Sequence, residues 1–137
     1  MLAERAALLA ESGRADAAVA LVAERYLSTP RDPDVLAIYV DALLALGDAP
    51  GAIDVSSALL AQRPQDAAAM RRAGLALLRA GLVDAGLEQL RAACRRAAAS
   101  VDAALALGQA LVEQGRVEDG LVELRRAERL APDDPRP

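Results

Sequence analysis

The sequence of 137 residues has no histidine, lysine, asparagine, phenylalanine or tryptophan, and it has only two tyrosines and one cysteine. Without histidine there can be no Ser–His–Asp or Cys–His nucleophile and no His-containing zinc site. Without lysine there is neither Schiff-base chemistry nor a phosphate loop closed by Gly-Lys. The single Cys94 rules out an intrachain disulfide and is compatible with a reducing compartment. With so few aromatics, the core must be built from Ala, Leu and Val, which suits closely packed helices better than a β-sandwich. No apolar run approaches the ~18 residues of a membrane span. Glu4 and Arg5 put charge where a signal peptide would begin its apolar stretch. A cytoplasmic location is therefore the default expectation, and no membrane partner is implied.

What is present is a chain 54% apolar and 26% charged, enough to bury a core. The net charge of −4 does not attract phosphate backbones and argues against a nucleic-acid partner. Arginine carries every positive side chain; with lysine and asparagine both absent, this reads as the composition of a GC-rich genome rather than selection for guanidinium chemistry.

Three residue series share one period. Gly13, Gly47, Gly81 and Gly115 are evenly spaced, at an interval of about 34 residues, a length that suits one supersecondary unit per repeat. Pro30, Pro64 and Pro132 follow on the same period, with Ala98 at the intervening station, and Asp32, Asp66, Ser100 and Asp134 form the third series. Each station has a physical role. Glycine reaches the left-handed conformation that ends a helix without a Cβ penalty. Proline stops a second helix and restricts the residue before it. Asp or Ser two residues on caps the next helix, and Pro33 suits its first helical position. Between stations the apolar spacing is helical, as in Leu107, Leu111 and then Val117, Leu121, Leu124. A single hairpin of this size cannot bury both faces, so neighbouring units must stack. Ala18, Ala52, Gly86 and Gly120 form a column of small residues where helices approach closely.

On these residues the sequence resembles the tetratricopeptide repeat family. The fourth unit carries the likeness best, in Leu107-Gly108-Gln109-Ala110-Leu111, Glu113-Gln114-Gly115, Ala127 and Leu130-Ala131-Pro132-Asp133. Gly74, Gly81 and Ala93 in the third unit fit as well, with Tyr39, Leu43, Gly47, Ala52, Leu59 and Pro64 in the second. The resemblance implies an all-α fold: a right-handed α-solenoid of antiparallel helix pairs, about eight helices, in one domain over residues 1–137. The repeats run approximately 1–32, 33–66, 67–100 and 101–134. Met70, Leu77 and Leu111 replace the family's usual aromatics, Val40 stands where a small residue is usual, and Arg25 where alanine is usual. With Ala98 in place of proline, the helix before it is expected to run on into a longer one.

The first repeat starts part-way into its first helix, and Asp134-Pro135 copies Asp32-Pro33 where a fifth would begin. The expectation is a segment of a longer array or of a multidomain protein, whose uncapped ends could pair two chains as a homodimer.

No catalytic, metal or cofactor site emerges. Glu118 with Asp119 and Asp133 with Asp134 read as helix-start carboxylates, not acid–base pairs, and Cys94 as a packing residue. What the resemblance implies is partner binding on a concave groove lined by first helices. In the second repeat the groove columns hold Asp34, Ala37, Ile38, Asp41 and Leu44; in the third, Arg71, Arg72, Leu75, Leu78 and Arg79; in the fourth, Asp102, Leu105, Gln109, Val112 and Glu113. Apolar floor with a few charges suits a peptide or helix of another protein. The three arginines could fork onto carboxylates of an acidic peptide or be spent on Asp34, Asp41 or Asp102 of flanking helices. The family's chaperone clamp, which needs Lys and Asn, is absent, since Ala3 and Ala7 occupy its columns. A non-catalytic scaffold or adaptor of bacterial type is the leading expectation. A structural spacer or self-association module is the alternative, ahead of an RNA-binding helical repeat or a regulatory domain attached to an enzyme.

Overall fold

The computed structural model describes residues 1–131; Pro132, Asp133, Asp134 and Pro135, which the sequence motifs include, lie outside the described residues. Among the described residues eight helices form four consecutive hairpins: α1 Leu2–Glu11 with α2 Ala15–Ser28, α3 Pro33–Leu46 with α4 Ala49–Gln62, α5 Ala67–Arg79 with α6 Val83–Arg96, and α7 Val101–Glu113 with α8 Val117–Leu130. No strand occurs among the described residues.

The capping chemistry follows the sequence stations. Asp32 accepts a hydrogen bond from the Asp34 amide at 2.9 Å, Asp66 from Ala68 at 3.3 Å, and Ser100 from Ala103 at 3.1 Å. Each satisfies an amide with no partner inside its helix. Gly47 ends α3 at φ 87°, and the Asp48 amide folds back onto Leu43 O at 2.9 Å. The same backward bond recurs in register from Arg14, Leu82 and Arg116. One further cap lies outside the three sequence series. Asp48 starts α4 by accepting from the Gly51 amide at 3.0 Å.

The expected run-on helix at Ala98 does not form. Helix α6 ends at Arg96, and Ala97 takes φ −132°, ψ 75°, close to Thr29 (−137°, 64°) and Arg63 (−131°, 67°), which precede prolines. The break therefore does not require proline: Ser100 caps α7, its amide closes a turn onto Ala97 O at 3.0 Å, and that arrangement is incompatible with continuing α6.

The core runs through the stack as linked apolar clusters. Ala6, Ala18, Val22, Val35 and Ala42 join the first hairpin to α3, with the two tyrosines Tyr26 and Tyr39 tilted against each other at 5.1 Å between ring centres. Leu36, Leu59 and Ala69 join α3 and α4 to α5, and Leu87, Leu90, Leu107, Ala110 and Leu111 join α6 to α7. Within the third and fourth hairpins the crossing is glycine on glycine. A Cβ on Gly74 would lie 3.0 Å from Gly86 O, and one on Gly120 would lie 2.8 Å from Gly108 O. Leu90 and Leu78 then close over the paired glycines of the third hairpin.

Side chains also tie successive repeats. Gln62 donates to Arg31 O at 2.6 Å, and Arg96, at the same station of the next repeat, donates to Gln65 O at 2.8 Å. At the following junction the equivalent position is Leu130, and Arg126 reaches Ala98 O at 2.8 Å instead.

Candidate interaction groove

The first helices of the hairpins run close to one another in sequence, α1 with α3, α3 with α5 and α5 with α7, whereas no two second helices bring Cα atoms within 8 Å of each other among the described residues. This packs the first helices on the inner face and splays the second helices on the outer one, as a curved solenoid requires.

On the inner face the expected residues fall into two groups. Ile38 is half-buried against the first core cluster and lines a cleft of about 110 Å³ between α1 and α3. Ala3, Ala6, Ala7, Ala10 and Ala42 complete its walls, with Asp41 at the rim. Leu75 and Leu105 are half-buried, and Asp34, Gln109, Asp102 and Glu113 are exposed. Leu78 and Val112 do more than line a groove. Leu78 fills the space above Gly86, and Val112 that above Gly120, so both are packing residues of their own hairpins.

The arginine group divides. Arg72 is bound in bidentate fashion to Asp41, Nε to Oδ1 at 2.9 Å and Nη2 to Oδ2 at 3.1 Å. Asp34 meets Arg63 at 3.4 Å. Arg71 and Arg79 make no ion pair with any described residue. Intramolecular pairing thus claims one arginine of the three, and Arg71 and Arg79 of α5 keep no ion pair among the described residues.

The outer face has a larger cleft, of about 390 Å³, between α6 and α8, with Leu107 and Leu111 of α7 as its floor. Arg91 and Arg95 face Asp119 and Glu123 across it, and Arg126 pairs with Glu123 at 2.9 Å. Cys94 packs against the Leu87, Leu90 and Leu107 cluster, as expected of a packing residue, but is half-buried rather than buried and also lines this cleft. Its helix column meets an opening between splayed second helices, so only one side of the thiol is covered. Burial pushes the thiol above its ordinary range, against the opposing pull of Arg126. Sequence reasoning also misses the inter-repeat bonds of Gln62 and Arg96, although their separation by one full repeat is the signal that could have found them.

Among the described residues no group of three or more His, Cys, Asp or Glu side chains is arranged to hold a metal ion, and no helix is long and apolar enough to cross a membrane. No buried side-chain polar atom among them lacks a hydrogen-bond partner.

The tetratricopeptide repeat family model matches residues 40–100 and, overlapping, 71–135. No curated protein matches the sequence. Among solved structures, TTC0263, a thermophilic TPR protein of Thermus thermophilus, superposes with a TM-score of 0.82 at 21% identity, over 94% of this chain and 72% of its own. MamA from Desulfovibrio magneticus RS-1, from position 41 to its end, gives 0.76 at 20% identity over 98% and 76%. A further MamA crystal structure gives 0.71 at 16% identity over 96% and 77%. At these identities the likeness establishes a shared right-handed α-solenoid fold.

Proposed function

The chain belongs to the tetratricopeptide repeat family, and from that premise we propose that it is a non-catalytic scaffold or adaptor module, holding a helix or peptide of another protein in its concave groove. The family's fold serves protein–protein interaction in general, and stacked helix pairs present an extended concave surface suited to it. The observation that carries the reading is the state of α5. Arg72 is spent on Asp41, while Arg71 and Arg79 stay unpaired beside half-buried Leu75 on the face shared with the α1–α3 cleft. Two cations without carboxylates on an apolar-floored inner face are what an acidic ligand would satisfy. Contact on so shallow a floor supports micromolar rather than nanomolar affinity.

The test is affinity capture with the native chain, with Arg71→Glu/Arg79→Glu, and with an outer-face control, Arg91→Glu/Arg95→Glu. Partners lost with the groove variant and kept with the control support the reading; identical partner sets for all three refute it.

One observation favours self-association as a second reading. Leu121 on α8 is 39% exposed, whereas Leu87, its equivalent one repeat earlier, is 1% exposed beneath α7. Val117 and Val122 lie exposed beside it. Light scattering across a concentration series would detect a dimer, and Leu121→Arg should return it to monomer; a monomer throughout removes this reading.

A further inference from the structure

Resting on the groove reading, we propose that the occupant is an amphipathic helix bearing two carboxylates two turns apart, at i and i+7, with apolar residues at i+3 and i+4. Arg71 and Arg79 are separated by about 12 Å along the axis of α5. Carboxylates at i and i+7 of a partner helix are separated by about 10.5 Å, within reach of two flexible guanidiniums. Arg71 and Leu75 lie on one stripe of α5, and Arg79 flanks it. A helix lying along α5 then sets its apolar turn on Leu75 while each end meets a cation.

Other cations and anions on this face narrow the register. Arg72 is held by Asp41 and Arg63 by Asp34, so neither offers a competing anchor. Asp102 and Glu113 are exposed on neighbouring α7, so an acidic ligand is favoured along α5 rather than along α7. An extended strand could also span the arginines, with acids at i and i+4 about 13 Å apart. The floor decides against it. Ala37 and Ala45 on α3, like Ala3 and Ala7 on α1, make a low surface that admits a helix backbone closely and provides few pockets for alternating side chains.

The experiment uses the whole chain and three fluorescein-labelled peptides of equal net charge, with a Lys-for-Glu version of the first as a control, read by anisotropy at low salt. The first has Glu at i and i+7 around Leu at i+3 and i+4; the second moves the acids to i and i+3; the third keeps acids at i and i+4 and places prolines to forbid a helix. The first should bind about ten-fold more tightly than either other, as two exposed charge pairs permit. Arg71→Glu/Arg79→Glu should lose that preference and gain affinity for the peptide with Lys in place of Glu. Equal affinity for all three peptides, tighter binding of the proline peptide, or no binding of the first overturns the proposal. Leu75→Arg separates the two levels: binding abolished by Leu75→Arg but unmoved by Arg71→Glu/Arg79→Glu sinks the charge pattern and keeps the groove. Binding unmoved by either variant, each checked for native helicity by circular dichroism, sinks both.

Discussion

Arg72 on α5 donates to both carboxylate oxygens of Asp41 on α3, at 2.9 and 3.1 Å, across the seam between the second and third repeats. The Arg72 side chain is 19% exposed and that of Asp41 54% exposed. The pair joins two inner-face helices and offsets the two charges against each other. Its fork geometry makes it stronger than a single-contact surface pair, while the exposure of Asp41 keeps water and salt in play.

A double-mutant cycle of Arg72→Ala and Asp41→Ala should therefore give a coupling of about 0.5–1 kcal/mol in denaturant unfolding. The coupling should shrink in molar salt. A coupling of zero at low salt would show that the contact contributes nothing to repeat stacking.

Gly120→Ala should destabilise the chain despite the better helix propensity of alanine. The new methyl would lie 2.5 Å from Val112 Cγ2 and 2.8 Å from Gly108 O, and the second of these is backbone. The strain of moving α7 from α8, about 1–3 kcal/mol, outweighs the ~1 kcal/mol gained in propensity. Val112→Ala in the same chain should relieve only part of the loss, because the carbonyl remains. A rise in the guanidinium midpoint for Gly120→Ala would contradict the close crossing.

Asp48→Ala removes the side chain that caps α4 through the Gly51 amide. The expected loss is about 1 kcal/mol, and Asp48→Asn should recover most of it. Equal losses for Ala and Asn would mean that the charge, not the hydrogen bond, is what matters at this helix start.

Cys94 should react with a thiol reagent more slowly at neutral pH than an unstructured cysteine peptide. Burial favours the neutral thiol, so thiolate forms at higher pH and the rate–pH curve shifts upward. Arg126→Ala should shift the curve further up, since the guanidinium stabilises the thiolate. In denaturant the two curves should coincide. A native curve lying below that of the peptide would contradict the partial burial.

Much of the architecture is legible in the sequence because it rests on local chemistry. A left-handed turn needs glycine and an exposed helix start needs a side-chain acceptor, so the Gly stations and the Asp and Ser caps, recurring on one repeat period, fix where helices begin and end. The groove columns come from the family resemblance carried onto that register, not from the register alone. The break at Ala97 is not legible from the proline series, because the cap at Ser100 and the turn onto Ala97 suffice without proline. Asp48 escapes notice because it sits in the turn after Gly47, where the Pro and Asp series offer no repeat to recognise.

The sequence by itself determined the period, the hairpins and the absence of histidine and lysine chemistry, since each depends on residue type and near-neighbour spacing. Only the tertiary structure decided how the charges are spent. Arg71 and Arg72 are adjacent in the chain, yet the ~100° turn between them aims one at Asp41 of the preceding repeat and leaves the other without a carboxylate. That partition depends on the lateral offset between α3 and α5, which is set by packing across the stack rather than by any residue within α5.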